Sequence, residues 1–217
     1  MDRSFYFDRL YPFQDRLISN LRRLKTGFYL TGGTAASRGY LEHRFSDDLD
    51  FFTNDDPSFG VWCDRVIQGW SGAWRIDVRQ RDRRFCRLVL SSEDIDLKVE
   101  LVNDVPSRVG DVLEHPVLGR LDSAQNILAN KIRALIDRDE PKDLADIWGF
   151  CCIKGLSLSE ALAGAAGKAA GIFPPDVARR LLSASQEDWE LIKWINTPAP
   201  DRFVSDLHDL GERLVLP

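Results

Sequence analysis

The segment Tyr29-Leu-Thr-Gly-Gly-Thr-Ala-Ala-Ser-Arg-Gly-Tyr-Leu-Glu-His-Arg-Phe-Ser-Asp-Asp-Leu-Asp-Phe-Phe52 gathers residue types that handle phosphates and divalent cations. Phe28 to Leu30 is an apolar run suited to a buried strand. Gly32-Gly33 then removes both side chains where the backbone must turn sharply and approach a bulky anion. Thr34 is placed to cap the helix that follows, and a helix start with bare amides and a hydroxyl is a physical phosphate site. Fourteen residues lie between Gly33 and Asp48. On a strand Asp48 and Asp50 project to one face while Leu49 and Phe51 go to the other, and two carboxylates on one face can hold divalent cations. Alone, a Gly-Gly pair is a turn and an Asp-x-Asp a solvated edge. Leu49, Phe51 and Phe52 argue for a buried strand, where two like charges without a cation or partner would be costly. In this order and separation the elements point to metal-dependent nucleotide transfer.

Gly-Gly-Thr followed by His43-Arg44-x-Ser46-x-Asp48-Leu49-Asp50-Phe51 resembles the first motif of the AbiEii/AbiGii toxin family, nucleotidyltransferases of the DNA polymerase β superfamily. Lys131-Ile-Arg-Ala-Leu-Ile-Asp-Arg138-Asp-Glu-Pro-Lys142-Asp143-Leu-Ala-Asp146 is similar to that family's later signature. The resemblance covers roughly residues 28 to 150. It implies that Asp48 and Asp50 hold Mg²⁺ or Mn²⁺, that Gly32, Gly33 and Thr34 cradle the terminal phosphates of a nucleoside triphosphate, and that Ser46 donates to one of them. It also implies an acidic residue on a later strand. In Asp94-Ile-Asp-Leu-Lys-Val-Glu-Leu-Val102 the apolar residues fall on one face, leaving Asp94, Asp96, Lys98 and Glu100 on the other. Lys-Val-Glu-Leu resembles the family's form at Glu100, which is the expected third carboxylate, with Asp96 as its competitor.

Lys131 and Arg138 stand two turns apart on the helix beginning near Ser123, so both can point at one target, and triphosphate oxygens are the target expected. By resemblance Lys131 and Asp146 are functional, Lys131 in catalysis and nucleotide binding, Asp146 in orienting the cation or sugar. Lys142 and Asp146 fall at i and i+4, a spacing that also suits a surface ion pair, and Asp143 can complement a helix dipole. His43 is expected to hydrogen-bond its loop, and Arg44 to pair with Asp47 or Glu42. With His43, His115 and His208 the only histidines, a histidine metal site is not expected.

These residues need a frame. Residues 8 to 25 read as a helix, followed by strand, helix and strand through Phe52, a turn at Asn54-Asp-Asp-Pro57 and a helix from Ser58 to Trp70. Trp74 to Gln80, Arg84 to Ser91 and Ile95 to Asn103 read as strands, the first two joined by a polar hairpin turn. From Ser123 the pattern is helical to the end, broken at Pro141, Pro174-Pro175 and Pro198; Leu156 to Ala170 is Ala/Gly-rich, and Trp189, Ile192, Trp194 and Ile195 form an apolar stripe. The expected fold is α/β (α+β), a mixed sheet with flanking helices and a helical C-terminal part. Residues 1–120 are expected to form the catalytic core, and 121–217 to complete the nucleotide and acceptor site.

No run of the sequence approaches the ~18 apolar residues of a membrane span, and Met-Asp-Arg-Ser-Phe-Tyr has no secretory core, so a cytoplasmic location is expected. Cys63, Cys86, Cys151 and Cys152 lack paired metal spacing; adjacent Cys151-Cys152 reads as two small buried apolar residues. A net charge of -5 argues against a bulk electrostatic grip on nucleic acid, so RNA contact must rest on a local patch. That patch is Arg75, Arg79, Arg81, Arg83, Arg84 and Arg87 with Trp74 and Phe85, offset in part by Asp77 and Asp82. The expected activity is transfer of a nucleoside monophosphate to an acceptor hydroxyl on RNA, tRNA above all, by a toxin with an antitoxin encoded nearby. A small-molecule nucleotidyltransferase of the antibiotic-modifying kind and a catalytically silent nucleotide-binding regulator are the alternatives.

Overall fold

The computed structural model describes residues 2–168 and 171–215; the ends of the helices expected to reach Ala170 and the C-terminus lie outside them. The chain divides into two compact units. The first comprises the chain up to Ala35, Ser46–Pro106 and Asp111–Asp122; the second comprises Ala36–Phe45, Ser107–Gly110 and the chain from Ser123 on.

The first unit is built on a mixed seven-stranded sheet of β1 (Tyr29–Thr31), β2 (Leu49–Asn54), β3 (Arg75–Arg81), β4 (Phe85–Ser92), β5 (Ile95–Asp104), β6 (Leu113–His115) and β7 (Gly119–Leu121), in the order β3-β4-β5-β2-β1-β7-β6. β2 runs antiparallel to β1 and parallel to β5, and β4 is antiparallel to both β3 and β5. Period-two alternation explains the central strands. Leu49 and Phe51 of β2, Leu88 and Leu90 of β4 and Leu97, Val99 and Leu101 of β5 are buried, while the residues between them are at least partly exposed; Thr53 and Asn103 continue the buried face and bond each other. A wide-turned helical stretch, Phe5–Leu10, leads into α1 (Tyr11–Arg23), which packs against β7 and against α3 (Phe59–Ser71). Phe13, Leu17 and Ile18 of α1 and Val66 and Trp70 of α3 are fully buried, each large side chain contributing about 1.5–3 kcal/mol by leaving water.

The β6–β7 hairpin extends the sheet where the sequence suggested no strand. β7 lies parallel to β1 through Leu30 and Leu121, and the Asp122 N–H donates to the Leu30 carbonyl at 2.9 Å. After β1 the chain enters a helical turn, α2 (Gly32–Thr34), and continues in wide turns over Ala35–Leu41, the Glu42 N–H reaching back to the Ser37 carbonyl.

The second unit is helical: α4 (Ala124–Arg138), α5 (Pro141–Trp148), α6 (Leu158–Ala166), α7 (Pro174–Leu182), α8 (Gln186–Leu191) and α9 (Pro200–Val215). Ser123 caps α4 by accepting from the Asn126 N–H, and Asp139 ends it in a left-handed conformation. Pro141 and Pro174 occupy first-turn positions, where the missing N–H costs nothing. The stripe expected over Trp189 to Ile195 is not one helical face. α8 stops at Leu191, Ile192 is extended, and Trp194 bridges to Arg44 while packing edge-on against Trp148 and Phe203. Cys151 and Cys152 are half-buried on the wide-turned segment Gly149–Ile153, more exposed than their apolar setting suggested.

Candidate active site

At the end of β1 Gly32 has φ +68°, and a Cβ there would overlap the Asp50 carboxylate, so two independent constraints demand glycine. Thr31, not Thr34, stands at the N-cap of α2, and its hydroxyl donates to Asp122 Oδ2 at 2.7 Å. Thr34 is buried; its hydroxyl lies 3.0 Å from Ser46 Oγ and bonds the Asp48 carbonyl. Helix propensity at a Gly-Gly-Thr start did not reveal this, because the partners lie 12 and 14 residues downstream. Ser46 is buried as well, and its N–H donates to the Tyr11 hydroxyl at 3.4 Å. The Gln14 amide donates to the carbonyls of Ser46 and Asp47 at 3.4 and 3.1 Å, and the Tyr6 hydroxyl to Asp47 Oδ1 at 2.7 Å. Residues 46 to 48 are therefore clamped from the first helical stretch as well as from Thr34. Asp48 enters β2 from a fixed backbone.

The β2–β5 register places Asp50 opposite Glu100 on neighbouring parallel strands, so their side chains leave the sheet on the same face. Asp96 lies four residues earlier on β5, is exposed and accepts from the Ser91 hydroxyl at 2.6 Å. Two cations stand among the carboxylates. Lys98 Nζ is 2.8 Å from Asp48 Oδ2 and 3.5 Å from Glu100 Oε1; Arg87 donates through Nε to the same Glu100 oxygen at 2.9 Å, with Nη2 also at 2.9 Å. Partial burial disfavours the Lys98 charge, yet the hydrogen bond to Asp48 and the fields of Asp48, Glu100 and Asp50 outweigh it, raising the pKa above the ordinary lysine value. Among the described residues no three His, Cys, Asp or Glu side chains converge on one metal position. The donor set nevertheless has the chemistry for Mg²⁺ or Mn²⁺, hard carboxylate oxygens, and the Lys98 ammonium lodged between Asp48 and Glu100 is a stand-in cation.

In the second unit Asp146 is fully buried, and Arg44 grips it through Nε and Nη2, both at 2.7 Å. Lys131 Nζ is 2.7 Å from Asp146 and 2.8 Å from Asp143, and His43 Nε2 is 3.0 Å from Asp146. Arg44 therefore pairs with Asp146, 102 residues away, not with Asp47 or Glu42. Lys142 pairs with Glu140 at 2.7 Å, not with Asp146, whose carboxylate faces inward. Asp143 does more than complement a helix dipole: it is the shared target of Lys131 and of Arg138, whose Nε and Nη2 reach it at 2.9 Å. Burial works against the Asp146 charge, but Arg44, Lys131 and His43 hold its carboxyl well below the usual range. Burial also lowers the His43 pKa, with Asp146 partly offsetting it, so the imidazole is neutral at pH 7. Lys131, 4% exposed, stays charged because Asp146 and Asp143 outweigh its desolvation. Arg138 is the network's solvent end, its side chain 45% exposed.

Four of the hairpin arginines are matched within the first unit: Arg79 with Asp77, Arg81 with Asp64, Arg84 with Asp55 and Arg87 with Glu100. Arg75 and Arg83 are exposed.

The mixed sheet, its glycine turn and the carboxylates that flank it define the class, a nucleotidyltransferase fold. Two solved structures from Helicobacter pylori share this fold. One, described as a candidate nucleotidyltransferase, is 18% identical with a TM-score of 0.57, the match covering 99% of this chain and 95% of that one. The other, JHP933, is 21% identical with a TM-score of 0.60, covering 99% and 92%. No curated protein matches the chain. The sequence profile of the nucleotidyl transferase AbiEii toxin of type IV toxin–antitoxin systems matches residues 16–192, and the chain belongs to that family. It is thus a nucleotidyltransferase, and the family implies a cognate antitoxin. No helix among the described residues is long and apolar enough to cross a membrane.

Proposed function

We propose that the protein transfers a nucleoside monophosphate from a nucleoside triphosphate to a hydroxyl of RNA, tRNA being the expected acceptor, as a cytoplasmic toxin. The observation that carries the reading is the pairing of Asp50 with Glu100 across β2 and β5, beside a glycine that only the Asp50 carboxylate and a left-handed turn require. Asp48, Asp50 and Glu100 would hold Mg²⁺ or Mn²⁺, which supplies charge neutralisation at the phosphates and a more acidic acceptor hydroxyl. The bared backbone at Gly32-Gly33 approaches the terminal phosphates, with Thr34 and Ser46 fixing that turn. Glu100 either completes that carboxylate set or takes the acceptor proton as the hydroxyl oxygen bonds to the α-phosphorus; the α–β bridging P–O bond breaks and pyrophosphate leaves. Arg138 is assigned to the triphosphate. Lys131 and Asp146 serve nucleotide binding as its supports, because both share its buried network. The chemistry is assigned to the carboxylates and glycine turn of the first unit.

One observation favours a second reading. With Arg79, Arg81, Arg84 and Arg87 matched by local carboxylates, the hairpin field is weaker than its composition, which suits a small-molecule acceptor. Incubating the protein with Mg²⁺, each labelled triphosphate in turn, and either total RNA or an aminoglycoside distinguishes them. Label entering RNA is expected; label entering only the small molecule would overturn the RNA assignment.

A further inference from the structure

In the sequence Lys98 lies on the polar face of β5 and opens the Lys-Val-Glu-Leu stretch that ends beside Glu100. Its ammonium touches Asp48 at 2.8 Å and Glu100 at 3.5 Å, and the second cation, Arg87, holds the same Glu100 oxygen. The two cations differ in what they can do. Arg87 holds one Glu100 oxygen, Oε1, through two nitrogens of a planar guanidinium, so two contacts must break before it leaves. Lys98 is a point charge on a flexible four-carbon stem, about as exposed as Arg87 but without a planar two-nitrogen hold, and can swing into solvent with little rearrangement. A divalent ion held by the Asp48 carboxylate would meet an ammonium that lies 2.8 Å from one of its oxygens. Like charges so close cannot share one ligand at low cost.

We infer that Lys98 is a resident counter-cation of the carboxylate set, a positioning residue that holds Asp48 and Glu100 in the free protein and leaves Asp48 when a divalent ion binds. The inference rests on the proposed assignment of Asp48, Asp50 and Glu100 to the metal. Lys98 neutralises carboxylates that would otherwise repel one another across adjacent strands, and in doing so it weakens the site's grip on free metal. Metal affinity is then set by competition with a side chain as well as by the number of carboxylates.

Titrating the full chain with Mn²⁺ and reading free ion by electron paramagnetic resonance tests this. Lys98→Met keeps the aliphatic stem and removes the charge; it is expected to bind Mn²⁺ on the order of tenfold more tightly than wild type. Lys98→Arg keeps the charge and is expected to stay close to wild type. Unchanged or weaker Mn²⁺ binding by Lys98→Met, with its melting temperature preserved, would overturn the inference. Asp50→Asn separates the metal assignment from the role of Lys98. If it weakens Mn²⁺ binding while Lys98→Met gives no gain, the metal assignment stands and the Lys98 inference falls. If Asp50→Asn binds as wild type does, or no variant binds at all, both fall.

Discussion

At Gly32 a single hydrogen separates the end of β1 from a carboxylate, and that closeness makes the residue-scale predictions sharp. Gly32→Ala must relieve both a left-handed φ and an overlap with Asp50, so it is expected to lower stability by about 1–3 kcal/mol and to displace the carboxylate. A denaturant midpoint equal to wild type would refute the close approach. Asp50→Asn is the complementary change, since it keeps the shape and removes the charge. Transfer is expected to fall by ~10²-fold or more, the scale of losing one preorganised electrostatic contact, while the melting temperature measured without metal changes little. An Asp50→Asn protein with undiminished transfer would remove the carboxylates from the mechanism. The turn at Gly32 was legible in the sequence because its left-handed φ is a property of its own backbone. The partners of Lys98 and Arg87 were not, because nothing in a one-dimensional pattern distinguishes a charge that meets solvent from one that meets Asp48 or Glu100.

Elements were legible where alternation or capping is strong. β2 and β5 keep strict period-two burial, and α4 announces itself with Ser123 and ends where Pro141 restarts the helix. β6 and β7 escaped because three residues carry no period, and Leu113 at the edge is half-exposed. The network of α4 and α5 escaped in a different way: the helices were expected, but Arg44 comes from a segment 102 residues before Asp146. Its energetics are testable on their own. Asp146→Asn leaves Arg44 and Lys131 buried with less compensation, a change that costs about 3–5 kcal/mol when a buried pair is broken. Because the folded pKa values of Asp146 and Asp143 lie below the ordinary carboxylate value, their contribution is complete above the unfolded value of ~3.9 and is lost as pH falls through the lower folded values. His43 acts with the same sign at higher pH: its neutral form is favoured by folding, so its contribution is present above ~6.5 and declines as pH falls through its lowered value. The stability gap between wild type and Asp146→Asn, followed by urea unfolding, should therefore be full above ~3.9 and shrink from there towards pH 2. A gap that stayed constant down to pH 2 would mean that Asp146 is not held as a carboxylate.

On the scale of the whole molecule the net charge of -5 sets the terms for any polymeric acceptor, because only a local surface can offset it. The arginine-rich hairpin was legible as composition, whereas its actual field depends on carboxylates brought in from elsewhere, Asp64 from α3 and Asp55 from the turn after β2. Arg83 is exposed at the tip, and Arg81 and Arg84 sit beside it on side chains that are themselves 40% and 50% exposed. Exposed pairs of this kind contribute little, typically ~0–1 kcal/mol, so a phosphate can compete for either guanidinium. Replacing Arg81, Arg83 and Arg84 together with Ser is therefore expected to reduce RNA labelling and flatten its salt dependence. Each phosphate that is no longer neutralised lowers the logarithmic salt slope by ~0.7–0.9, and a change that fits one phosphate better than three would show that Asp64 and Asp55 keep their partners. Triphosphate binding should barely change, since these side chains are assigned to the acceptor and not to the turn at Gly32-Gly33. Nucleotide titration and RNA labelling across a salt series measure the two effects separately. Survival of both the labelling and its salt slope in the triple variant would reduce the hairpin to a solvated edge and move the RNA contact to another surface.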